Sequence, residues 1–235
     1  MENKLLILNM KMYMELDDIK NYIEQVKIEN DNVIICPTAI YLPYFVDKYK
    51  NIAVQNIYAV NKGAYTGAIS ALQVKKLGVN YAVIGHSECR KHFNESDELI
   101  NKKIKSALEN DLKIILCVGE NLEEKLSGKT EEVLKKQLDK DLNLIKSNDV
   151  IIAYEPIFSI GTGNLPSDDD INNTIKFIKD YLKTKNLDLK VVYGGSVNSK
   201  NIKSLCELKE VDGFMVGKSS SVIEEVLEMV KVVSS

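Results

Sequence analysis

The sequence predicts an α/β fold closed into a parallel (β/α)8 barrel. Three observations carry that expectation. Eight short, β-branched apolar runs recur along 235 residues. A loop and then a charged stretch, often with helical spacing, separate each run from the next. No Pro-, Gly- or Ser-rich linker breaks the alternation. The mean spacing of about 30 residues is that of one strand–helix unit. Runs this short and apolar suit strands covered on both faces, as in a parallel sheet. The competing architecture, a doubly wound open sheet, usually has about five to seven strands. Its dinucleotide-binding fingerprint is also missing from the first turn, Leu8-Asn9-Met10-Lys11-Met12, which has no glycine. One barrel domain over residues 1–235 is therefore expected.

In chain order the strands are expected at 5–8, 33–36, 52–54, 81–84, 113–118, 150–154, 190–193 and 213–216. Between them, 15–29 places Ile19, Tyr22, Ile23 and Val26 at helical spacing, and 97–110 does the same with Leu99, Ile100, Ile104 and Leu108. Segments 131–145, 169–184 and 222–233 continue the pattern. Ser167 followed by Asp168, Asp169 and Asp170 reads as a helix start, with a cap and an acidic first turn.

Composition narrows the function. Hydrophobic residues make 45% and charged residues 28%, which excludes a disordered chain. The formal net charge of −3 argues against a general nucleic-acid or membrane-surface binder, while leaving room for a local basic site. No apolar run approaches the roughly 18–20 residues of a membrane span. The N-terminus has no secretory cleavage pattern, so a cytoplasmic protein is expected. Cys36, Cys89, Cys117 and Cys206 are widely spaced without a Cys-x-x-Cys pair and read as free thiols, not as a disulfide set or zinc site. With two histidines, a His-rich metal site is not expected.

In a barrel, function sits at the C-terminal ends of the strands. The first run ends in Asn9 and Lys11, the fourth in Gly85-His86-Ser87-Glu88, and the sixth in Tyr154-Glu155-Pro156 followed by Ile160-Gly161-Thr162-Gly163. The seventh ends in Gly194-Gly195-Ser196 and the eighth in Gly217-Lys218-Ser219-Ser220. Period-two alternation groups Leu5, Ile7, Asn9 and Lys11 on one face, Ala82, Ile84 and His86 on another, and Ile151, Ala153 and Glu155 on a third. With those faces inward, an ammonium, an imidazole and a carboxylate converge over the mouth. The glycine-rich turns after strands seven and eight offer free backbone N–H groups at the position that commonly holds phosphate. A carboxylate can take a proton from carbon beside a carbonyl, an imidazole can polarise that carbonyl, and an ammonium can offset the developing charge. Proton transfer on a phosphorylated carbonyl substrate, with no cofactor, is the simplest chemistry these groups support.

At these residues the chain resembles the triosephosphate isomerase family. The resemblance is carried by Asn9-Met10-Lys11-Met12, Val83-Ile84-Gly85-His86-Ser87-Glu88-Cys89-Arg90, Cys117-Val118-Gly119-Glu120, Ala153-Tyr154-Glu155-Pro156 with Ile160-Gly161-Thr162-Gly163, Tyr193-Gly194-Gly195-Ser196-Val197-Asn198, and Val211-Asp212-Gly213-Phe214-Met215-Val216-Gly217. They lie in family order from residue 9 to 220. The resemblance implies a TIM barrel that interconverts dihydroxyacetone phosphate and D-glyceraldehyde 3-phosphate through an enediolate, without a cofactor or metal. It implies Glu155 as base, His86 as neutral electrophile, and Lys11 and Asn9 as groups that neutralise and position the substrate. Glu88 would hold Lys11 or shuttle a proton. Backbone N–H groups of Gly161, Ser196, Gly217 and Lys218 would grip the phosphate, and residues 156–166 would close as a lid. It further implies a homodimer through loop 56–70, in which Thr66 meets Asn9 of the second subunit; Gln55, Asn56, Gly63, Tyr65, Thr66 and Gly67 are kept. Two other functions compete: a different cofactor-free phosphosugar isomerase or lyase, and a barrel retained only for binding.

Several positions depart from the family pattern. Met10 and Phe158 stand where Trp is usual, so apolar packing is expected to survive. The second lid hinge is Asn164-Leu165-Pro166, where Pro166 fixes one φ and is expected to alter the closing rate. Lys218 replaces a usual glycine, and a left-handed conformation there would cost about 1 kcal/mol or more. Ala68 and Cys89 replace an acid and an arginine that pair between subunits in many members. Both charges are gone together, so neither is stranded. Cys117 is read as core packing beside the base, and Cys89 as an oxidation or alkylation risk if exposed.

Overall fold

The computed structural model describes residues 4–159 and 166–234. Its strands are β1 (Leu5–Asn9), β2 (Val33–Cys36), β3 (Ala53–Val54), β4 (Tyr81–Ile84), β5 (Lys113–Val118), β6 (Val150–Tyr154), β7 (Lys190–Tyr193) and β8 (Gly213–Val216). Neighbours run β2-β1-β8-β7-β6-β5-β4-β3, all in parallel register. The two ends of that order meet where Ile35 bridges Ile52, and Ile35 N–H donates to the Asn51 carbonyl at 3.0 Å. The barrel is therefore nearly closed, with one thin seam. The seam is thin because Ile52 N–H goes to the side chain of Asn80, at 2.8 Å, instead of entering the ladder. For the same reason β3 begins at Ala53, one residue later than expected.

Alternation splits each strand between two layers. Leu5, Ile7, Ile34, Cys36, Ala53, Val83, Ile115, Cys117, Ala153, Val192 and Met215 fill the barrel. Their neighbours, such as Leu6, Leu8, Ile114, Leu116, Ile152, Tyr154 and Phe214, pack outward against the helices. A core filled by side chains, not a pore, is what this architecture requires. On β1 and β6 the inward faces are the expected ones. On β4 the expectation is corrected: Ala82 and Ile84 face the helices and Val83 faces the interior.

Helices Leu16–Gln25, Asp97–Leu108, Thr130–Asp141, Asp168–Thr184 and Ile223–Val233 lie where periodicity places them. Their ends are shorter than the apolar pattern. The first stops where Val26 turns to extended backbone, and the third stops short of Leu144, which turns left-handed at φ +65. Ser167 accepts from Asp170 N–H at 3.1 Å and caps the fourth, with three aspartates against its positive end. Ala71–Leu77, Ser87–His92 and Leu122–Leu126 are additional helices of two turns or fewer, too short for a 3.6-residue pattern to register. Among the described residues no helix is long and apolar enough to cross a membrane, and the four cysteines are unpaired.

Candidate active site

At the C-terminal ends of the strands lies a cavity of about 610 Å³, lined by Asn9, Lys11, His86, Glu88 and Glu155 and by the turns that follow β7 and β8. Asn9 is buried and inward, in line with Leu5 and Ile7. The strand ends there. Lys11 turns left-handed at φ +50, a conformation that a non-glycine residue adopts only when its surroundings fix it. Here its N–H donates to Asn9 Oδ1 at 3.1 Å, and its carbonyl accepts from Thr38 Oγ1 at 2.8 Å and Gln55 Nε2 at 2.9 Å. Lys11 thus reaches the mouth through a pinned turn, not by continuing the strand face as expected. Its Nζ lies 2.6 Å from Glu88 Oε1. Burial pushes the Glu88 carboxyl up, but the hydrogen bond from Lys11 and the surrounding positive groups together outweigh it, and the net is below the ordinary range.

His86 arrives at the same place by another break in alternation. Gly85 sits at φ +75, which glycine alone adopts without strain, and a Cβ there would lie 3.2 Å from the Cys117 carbonyl. The kink re-aims His86 into the cavity even though β4 faces the other way. Arg90 locks it: Nε donates to the Gly85 carbonyl at 2.8 Å and Nη2 to the Cys117 carbonyl at 3.1 Å. The guanidinium is held in turn by Asp97 at 2.7 Å and the buried Asp141 at 2.6 Å. Burial outweighs Arg90 at Asp141 and pushes its carboxyl up to about 7. His86 also caps helix Ser87–His92, with Nδ1 accepting from Glu88 N–H at 3.2 Å. A ring nitrogen that accepts carries no proton, so the imidazole's proton is on Nε2. That nitrogen lies 3.1 Å from Glu155 Oε1.

Glu155 follows β6 on the face of Ile151 and Ala153 and is buried. Ser87 N–H donates to its Oε2 at 3.2 Å. Two glycines wall it in: a Cβ at Gly119 would collide with its carbonyl oxygen, and one at Gly194 would lie 3.0 Å from its Cγ. Behind it, Tyr154 hydroxyl donates to the buried Glu120 at 3.0 Å, and Ile157 N–H to the Glu120 carbonyl at 3.0 Å. Ser196 Oγ donates to the Ser159 carbonyl at 2.6 Å, tying the segment after β6 to the turn after β7. Gly161, the rest of the expected lid over 160–165 and the first two residues of its second hinge lie outside the described residues.

The turn after β8 resolves the question raised by Lys218. Lys218 opens the short turn Lys218–Ser221 and is not left-handed. The unusual backbone falls on Gly217, at φ −88 and ψ −109. Lysine at 218 therefore carries no backbone strain. N–H groups of Ser196 and Lys218 find no backbone acceptor among the described residues.

In loop 56–70 the Tyr58 and Tyr65 rings pack at a tilt of 46° with centroids 4.9 Å apart, and residues 62–68 are exposed. Asn56 is anchored by Glu95 at 2.8 Å and by Lys103 at 3.0 Å, and Lys103 itself pairs with Glu95 in the interior. Cys89 lies partly buried with Asn56 Nδ2 at 3.5 Å from its Sγ, and burial raises its thiol to about 11. A thiol so largely protonated near neutral pH reacts slowly with electrophiles.

Arg90 and Asp141 hold the site together, yet sequence reasoning gave neither a role. One signal was available: Asp141 shares the helical face of Leu134 and Leu138, where a charge must have a partner.

A family model described as triosephosphate isomerase matches residues 4–233. Curated relatives named triosephosphate isomerase include that of Clostridium tetani, 40% identical across 90% of this chain and 89% of the relative. That of Mycoplasmoides gallisepticum is 41% identical across 90% and 91%, and that of Dictyoglomus turgidum 38% across 94% and 95%.

Proposed function

The chain belongs to the triosephosphate isomerase family, and on that premise we propose how its own residues carry the reaction. The enzyme is an aldose–ketose isomerase that interconverts dihydroxyacetone phosphate and D-glyceraldehyde 3-phosphate, a step of glycolysis and gluconeogenesis. Glu155 takes the proton from C1 of dihydroxyacetone phosphate, and the electron pair moves onto the C2 oxygen. His86 donates from Nε2 to that oxygen and passes a proton between the two oxygens of the enediolate. Glu155 then returns its proton to C2. Lys11, held by Glu88, offsets the negative charge, and Asn9 supports the Lys11 turn and the substrate. The phosphate sits against the N–H groups of Ser196, Gly217 and Lys218, with Gly161 completing the grip.

The observation that carries this reading is the meeting of Glu155 Oε1 and His86 Nε2 at 3.1 Å, both buried, in the cavity that Lys11 also lines. A buried carboxylate and an imidazole N–H that meet in one cavity are placed to reach neighbouring atoms of a substrate that enters there and parts their contact. The test is isomerisation of D-glyceraldehyde 3-phosphate in a coupled assay. Fast turnover is expected, and conversion of a different sugar phosphate in its place would contradict the assignment.

The working unit is a cytoplasmic homodimer of single-domain subunits spanning residues 1–235. Support comes from Met12, 89% exposed, and Phe93, 70% exposed, which share the barrel's loop end with the bare tip of loop 56–70. Such apolar exposure suits a covered face. Light scattering at micromolar concentration should give the dimer mass; a fully active monomer would refute it.

A further inference from the structure

We infer that the ammonium of Lys218 is a second cationic ligand for the substrate's phosphate, setting affinity for the dianion without entering the proton transfers. This rests on the reading of the cavity given above. Four of the residues that line that cavity carry a formal charge: Lys11, Lys218, Glu88 and Glu155. Their charges cancel. Lys11 is committed to Glu88 at 2.6 Å. Lys218 is exposed, and its ammonium makes no ion pair or hydrogen bond among the described residues. The two lysines flank one turn, since a Cβ on Gly217 would lie 3.5 Å from Lys11 Nζ.

The backbone of this turn does not explain a lysine at 218. Its unusual conformation is absorbed by Gly217, and the N–H of residue 218 is available whatever its side chain. What the side chain adds is charge. Without it the lining would carry a net charge of −1, on a chain already at −3. A phosphate dianion would then approach a negative mouth. One added cation at the rim attracts the dianion through partly screened water, an effect that salt weakens. Uniform binding of this kind lowers KM and leaves kcat unchanged.

The test compares full-length wild type with Lys218→Met, which keeps the stem and removes the charge, and Lys218→Arg, which keeps the charge. In Lys218→Met, KM for glyceraldehyde 3-phosphate and the inhibition constant of inorganic phosphate should both rise about three- to ten-fold. The salt dependence of kcat/KM should flatten, with the loss falling on KM more than on kcat. Lys218→Arg should restore KM and the phosphate constant. Unchanged KM and phosphate inhibition in Lys218→Met would overturn the inference. So would equal losses in the Met and Arg variants, which would assign the effect to packing. If wild type fails to isomerise the triose phosphate, the functional reading fails. Calorimetric binding of inorganic phosphate to wild type and Lys218→Met then still decides the role of Lys218.

Discussion

Replacing Gly194 by alanine isolates the position of the base from the stability of the barrel. Gly194 is not left-handed, so its backbone accepts alanine. The new Cβ would stand 3.0 Å from Glu155 Cγ and 3.3 Å from the Tyr154 carbonyl. Ordinary contact needs roughly 3.5 Å or more, so the stem of Glu155 must retreat by about 0.5 Å. Misplacing a reacting group by about 1 Å can cost about 100-fold, so half that shift corresponds to about 10-fold in kcat, or ~1.4 kcal/mol. Because a flexible side chain yields, the fold should lose less than ~1 kcal/mol. Steady-state kinetics and thermal melting read the two effects separately. Gly119→Ala is the contrasting variant. Its Cβ would stand 1.7 Å from the Glu155 carbonyl oxygen, which is backbone and cannot step aside. There kcat and melting temperature should fall together. If Gly194→Ala keeps kcat within two-fold, or loses activity only in step with stability, the placement of Glu155 does not limit the reaction and the reasoning is wrong.

Other expectations follow from the same contacts. Glu88→Gln removes the charge that holds Lys11, so kcat/KM should drop about ten-fold. The melting temperature should barely move, because the pair is half-exposed on the Glu88 side; a large loss of stability with unchanged kinetics would contradict that division. The raised Asp141 carboxyl gives a pH slope. Folded protein keeps that proton up to about pH 7, whereas the unfolded chain releases it near the ordinary aspartate value of 3.8. The folded state therefore binds the extra proton between those values, and stability falls as pH rises through that window, by ~4 kcal/mol at most. Denaturant titrations from pH 4 to 7 should show the slope in wild type and lose it in Asp141→Asn; an identical slope in both would remove Asp141 as its source.

Much of this molecule is legible in its sequence, for definite reasons. Buried parallel strands write themselves as short apolar runs, so all eight are found, and the chemistry collects at their C-terminal ends, where the loops of this architecture meet. What escapes is wherever one residue breaks a period. Gly85 inverts the expected faces of β4 yet still delivers His86 to the cavity. Lys11 arrives through a left-handed turn that depends on Thr38 and Gln55, far apart in the chain. The Arg90–Asp141 brace joins residues 51 positions apart and shows in sequence only as one acid on an apolar helix face. The two-turn helices leave too few residues for a pattern, and the thin seam at β3 is decided by a single side chain, Asn80.

Hydrogen exchange tests the proposed role of Glu155 most directly. Dihydroxyacetone phosphate is incubated in D2O with wild type and with Glu155→Gln, which keeps the shape of the side chain and removes the base. Because a carboxylate that carries the proton between carbons can trade it with solvent, wild type should place deuterium on carbon in the isomerised triose phosphate. Glu155→Gln, folded and melting normally, should show neither turnover nor exchange above background. Turnover or carbon-bound exchange that persists in Glu155→Gln would contradict Glu155 as the base.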